Sequence, residues 1–87
     1  MSYADHWREH VLPRCHLTAR WLAIGVVYGH GPTLHPICFS DAIDQTMAFA
    51  MKWGAHRLTD PVFRDLEEHL AAYILSTIDQ LEARNVR

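Results

Sequence analysis

Two cysteines, Cys15 and Cys38, are all that the 87 residues contain. That is too few for a disulfide framework. It fits reduced thiols in a cytoplasm, with a Cys15–Cys38 bridge as the alternative. Long apolar runs are missing as well: the longest, WLAIGVVY, has eight residues, where a bilayer span needs roughly 20. The opening SYADHWREH is polar and lacks the hydrophobic stretch of a secretory leader. An excess of positive charge is absent, the net charge being −2, so there is no bulk attraction to nucleic acid. There is no Gly-x-Ser-x-Gly elbow. The one Gly-rich turn, GHG, lacks the Lys and the helix start of a phosphate loop. Without repeats, low-complexity tracts or a dividing linker, residues 1–87 read as one small domain.

Apolar residues are what the chain has in quantity: 49% of it, with 10% aromatic and 21% charged. The charged share is below the roughly 25% average. A domain this short hides only a modest part of its surface. Surplus apolar area on such a chain usually means self-association or a partner. The charge is uneven. Residues 1–39 carry Arg8, Arg14 and Arg20 against Asp5 and Glu9, and residues 40–87 carry eight acids against five bases.

Periodicity and punctuation predict helices. Ser2 with Asp5 three residues on resembles a capping box. Tyr3, Trp7 and Val11 follow on one face, and Pro13 ends or kinks that helix. The segment RCHLTARWLAIGVVYG is ambiguous. As a helix it groups Leu17, Trp21, Ile24 and Tyr28, with Gly29 as a stop. As a strand, LAIGVVY turns at GHGP and pairs with TLHPICF, giving a hairpin over 21–39 with Pro36 on its edge. LTARWLA supports the helix, and IGVVY does not. A third helix runs from Ser40 or Asp41 to about Arg57. Ile43, Met47, Ala50, Met51 and Gly54 lie on one face of it, with Phe49 and Trp53 on a flank. The fourth has Asp60 as cap and Pro61 at its first position. Phe63, Leu66, Leu70, Tyr73, Ile74, Thr77 and Leu81 form its stripe to about Arg84.

The expected fold is therefore mostly α, a small bundle of three or four helices with residues 29–39 irregular. The alternative is α+β with the hairpin. Trp21, Ile43, Met47, Trp53, Phe63, Leu66, Leu70 and Ile74 are expected in the core. Ala71, Leu75 and Ile78 fall beside the main stripe of the fourth helix, as an extra apolar patch rimmed by Asp65, Glu68, Asp79 and Glu82. A helix apolar beyond one stripe is covered on more than one side.

Four constellations invite a chemical reading. HWREH spells His-x-x-Glu-His, the inverted zinc-protease pattern, with His6 and His10 as ligands and Glu9 as general base. Enzymes with that motif span several hundred residues and add a carboxylate downstream. Here Trp7 and Val11 claim the inner face, so surface histidines are the simpler reading. Cys15, His30, His35 and Cys38 include one His-x-x-Cys pair but lack the two close pairs of structural zinc. Cys15 and His16 are adjacent, which on a helix points them about 100° apart. A recognition helix for DNA would need more than Lys52 and Arg57. Instead Asp60, Asp65, Glu67, Glu68, Asp79 and Glu82 offer an acidic face to a basic partner.

No resident metal or cofactor, no nucleic acid and no catalysis are expected. The expected function is docking on another protein, or on a second copy as a homodimer, through Ala71, Leu75, Ile78 and the acidic rim. Small size is shared with the inhibitors, antitoxins and anti-defence proteins of phages and mobile elements, anti-CRISPR proteins included. That is a likeness of class, with no motif behind it. Two alternatives stand: a zinc-binding protein using His6/His10 or Cys15/His35/Cys38, and a homo-oligomeric structural subunit.

Overall fold

The computed structural model describes residues 2–28 and 38–85. Four α-helices and no strand occur among them: α1 (Tyr3–His10), α2 (Leu12–Tyr28), α3 (Phe39–Lys52) and α4 (Asp60–Asn85). A short 3₁₀ turn, Ala55–Arg57, links the last two. The chain is a small mostly-α bundle, as its periodicity predicts. The hairpin alternative is overturned where it is described, because α2 runs unbroken through 21–28. Gly29, His30, His35 and Pro36 lie outside the described residues.

Local chemistry explains the boundaries. Ser2 sits in extended conformation, and its hydroxyl accepts the Asp5 N–H at 3.2 Å. That satisfies one of the free donors of the first turn. α1 stops at His10, and after Val11 alone α2 begins at Leu12, with Pro13 in its first turn. Proline has no N–H to continue α1 but fits a helix start. α3 ends where Gly54 takes φ +100°, a left-handed conformation that suits glycine. At α4 the Phe63 N–H reaches the Thr59 carbonyl at 2.8 Å. The capping carbonyl is thus one residue earlier than Asp60, and Asp60 and Pro61 open the first turn.

The core has two parts. Trp7, Val11, Cys15, Met47, Ala50, Ala55, Leu66 and Leu70 pack at the end where α1 joins. Ala19, Ala23, Ala42, Ile74 and Ile78 pack at the other. α4 supplies Leu66, Leu70, Ile74 and Ile78, each one turn from the next. Thr46 is fully buried, and its hydroxyl donates to the Ala42 carbonyl at 2.7 Å. That bond removes the cost of an unpaired buried hydroxyl.

Met47, Leu66, Leu70 and Ile74 are buried as expected, and Ile43 and Phe63 are half-buried. Trp21 and Trp53 are corrections, at 68% and 44% exposed. The cause at Trp21 is the orientation of α2. The helix turns Cys15, Ala19 and Ala23 inward, all fully buried, and leaves Leu17, Trp21 and Tyr28 outside. Small side chains let α2 approach α3 and α4 closely, which the large ones would prevent. In α3 the buried face is Ala42, Thr46, Met47 and Ala50, while Met51 is exposed. Trp53 keeps its ring at the surface but caps α3.

Candidate functional site

The histidines of HWREH lie on the solvent side of α1. The His6 and His10 rings are 4.6 Å apart between centroids, tilted by 45°. Both are exposed, as is Glu9, while Trp7 between them is buried. No group of three or more His, Cys, Asp or Glu converges for a metal among the described residues.

Of the cysteine constellation only the two thiols fall among the described residues. Cys15 is fully buried, and Cys38 is exposed beside Ser40, with 3.3 Å between sulfur and hydroxyl. Both thiols are free. Burial pushes the Cys15 thiol up to about 11, so it remains a thiol at neutral pH.

α1 is held by polar contacts to the turn after α3. The Trp7 indole N–H donates to the Trp53 carbonyl at 3.1 Å, and the Tyr3 hydroxyl donates to the Gly54 carbonyl at 2.9 Å. The Arg14 guanidinium lies 4.7 Å from the centre of the Trp53 ring, a cation–π distance. Tyr3, His6, Trp7, His10, Val11, Arg14 and Trp53 bound a groove of ≈ 280 Å³. On the other side of α1 lies a cavity of ≈ 290 Å³, walled by Trp7, Leu12, Leu58, Val62 and Leu66, with Arg8, Asp65 and His69 also lining it.

The fourth-helix patch is not one surface. Ile78 belongs to the core, Ala71 is half-buried, and Leu75 is 50% exposed. Asp65, Glu68, Asp79 and Glu82 are exposed. What remains outside is Leu75 among carboxylates.

The larger apolar surface is on α2. Leu17 is 70% exposed, Trp21 68% and Tyr28 48%, with Ile24 half-buried between them. Spacings of four, three and four put them on one stripe, opposite the buried Cys15–Ala19–Ala23 face. Arg14 and Arg20 stand three residues either side of Leu17 and are exposed. The helix contains no Asp or Glu. The spacing in the sequence groups these residues, but the size of Trp21 favours the core for it, and the structure places it outside.

One contact joins residues that no spacing rule would pair. His16 on α2 and His69 on α4 meet with their Nε2 atoms 2.7 Å apart. His16 also stacks on Tyr73, with centroids 4.6 Å apart and 29° between planes. Burial first, and then the His69 charge, lower the His16 pKa from its ordinary value. The pair is joined by one Nε2–H, since two imidazolium rings would repel and leave no acceptor.

Comparisons with protein-family models, with curated proteins and with solved structures give no match for this chain.

Proposed function

We propose that this protein is a docking protein rather than an enzyme, and that the outward face of α2 is its contact surface. The observation that carries the reading is the exposure of Leu17, Trp21 and Tyr28 on one helical stripe. Trp, Tyr and Arg are the residue types enriched among the few that dominate interface energies; the stripe has the first two, and Arg14 and Arg20 flank it. A Trp covers on the order of 150–250 Å² when buried. Covering the open part of Trp21 at about 25 cal/mol per Å² is worth roughly 2–4 kcal/mol.

Charge narrows the partner. The cations beside the stripe, Arg14 and Arg20, are met by no carboxylate of α2. The surface that complements it is an apolar groove of another protein bordered by Asp or Glu. Opposite charge at the rim speeds encounter and sets register, and the apolar centre supplies affinity. This is the reverse of the acidic-rim site expected on α4. Leu75 with its carboxylates is less exposed than Leu17 or Trp21 and lacks an aromatic anchor. A chain this small that docks on a larger protein acts by occupying its surface, which is how an inhibitor works. The two free thiols support a reducing, cytoplasmic setting. Among the described residues no helix is long and apolar enough to cross a membrane.

The test compares three proteins in affinity purification from the native host with mass spectrometry: wild type, Trp21→Glu and Leu75→Glu. One partner retained by wild type and Leu75→Glu but lost by Trp21→Glu, with an acidic contact surface and binding that weakens with salt, supports the reading. A partner lost by Leu75→Glu and kept by Trp21→Glu moves the site to α4. Light scattering on the same proteins separates self-association: a wild-type dimer that Trp21→Glu dissociates assigns the stripe to a second copy.

A further inference from the structure

We propose that His16 and His69 form a two-imidazole site for a divalent transition-metal ion of the zinc, nickel and copper class, one that staples α2 to α4. The two Nε2 atoms approach to 2.7 Å although their residues are 53 positions apart in the chain. Ring centroids 5.0 Å apart mean that the nitrogens meet nearly head on. Imidazole is a good donor for all three metals, with Zn–N bonds of about 2.0–2.1 Å. Two such bonds at an angle between 90° and tetrahedral hold their nitrogens roughly 2.9–3.4 Å apart. The pair therefore has to open by a fraction of an ångström and to swing one ring. His69 is exposed and has the room, while His16 is half-buried and braced on Tyr73.

No third His, Cys, Asp or Glu joins them among the described residues, so water completes the coordination and the site is an open one. Proton balance is simple. In the metal-free pair one ring donates its Nε2–H to the other. The ion takes both Nε2 lone pairs, and the donor ring carries its proton on Nδ1 instead, with no electron transferred.

The expected consequence is stability. Because the two ligands are distant in sequence, an ion that needs both binds the folded chain and not the unfolded one. His6 and His10 also have a chelating spacing, one turn apart on α1. Metal held there would link nothing outside that helix. The staple lies on a different face of α2 from the Leu17–Trp21–Tyr28 stripe, so it stands or falls apart from the docking reading.

The experiment is thermal unfolding of tag-free, chelator-treated protein with and without excess ZnCl₂, repeated with NiCl₂. Four proteins are compared: wild type, His16→Asn, His69→Asn and the double variant His6→Asn/His10→Asn. Wild type and the double variant are expected to gain ~4 °C or more, and both single variants are expected to gain nothing. His69 is exposed, so His69→Asn keeps the fold and carries the test even if His16→Asn does not. No gain in wild type, a gain that survives in His69→Asn, or a gain that disappears with His6 and His10 overturns the proposal.

Discussion

A thiol reacts as its thiolate, so burial decides which cysteine of this protein is chemically available. Cys15 is fully buried with its pKa raised to about 11, and Cys38 is exposed. A disulfide reagent at neutral pH should titrate one thiol quickly in the native protein and the second only after unfolding. Two thiols reacting at one fast rate would remove Cys15 from the core. The same shift has a sign in stability. Above pH 9 the unfolded chain loses the Cys15 proton more readily than the folded one, so this contribution falls as pH rises from about 9 to 11. Gly54 is the other residue with a sharp requirement. It stands at φ +100°, and the place of an added Cβ is already occupied by the Tyr3 hydroxyl. Gly54→Ala should cost on the order of 1–3 kcal/mol in urea unfolding. If the cost is below ~0.5 kcal/mol, the turn does not pin α1.

α2 is the element that decides how the rest is read. Its inward face is Cys15, Ala19 and Ala23, and its outward face is Leu17, Trp21 and Tyr28. Ala19→Leu should overfill the seam with α3 and α4 and cost about 1–3 kcal/mol. Leu17→Ala should stay within about 0.5 kcal/mol of wild type. Equal losses in the two variants would mean that α2 is rotated relative to this description. The same helix shows what the sequence made legible. The Ser2 cap, the Pro13 break and the i, i+4 series Leu66, Leu70, Ile74 are local signals, and each appears where its spacing places it. The helical state of α2 was only half legible, since LTARWLA favours a helix and IGVVY does not. Which face of it turns inward was not legible, because both faces are apolar and periodicity alone cannot rank them. Size argued for Trp21, and close helix approach selected the alanines. The Ile78 misreading on α4 has the same origin: an off-stripe position becomes core when two neighbours, α2 and α3, pack from different sides. The His16–His69 contact had no sequence signal, since it depends on how α2 and α4 cross.

At the scale of the molecule, three helices enclose a core in two parts, and α1 closes one end through Trp7. This arrangement satisfies the buried polar groups: among the described residues no buried side-chain nitrogen or oxygen lacks a partner. Its two most exposed large apolar side chains, Leu17 and Trp21, stand on α2 beside Arg14 and Arg20, and the proposed function rests on that placement. The most direct test is the urea-unfolding free energy of Trp21→Glu, measured at two protein concentrations tenfold apart. An outward Trp21 predicts that the monomer's stability stays within about 0.5 kcal/mol of wild type. Any difference that grows with concentration then reports self-association through the stripe. A loss of about 3 kcal/mol or more that is the same at both concentrations, the signature of a carboxylate forced into a core, would bury Trp21 and leave no contact surface on α2.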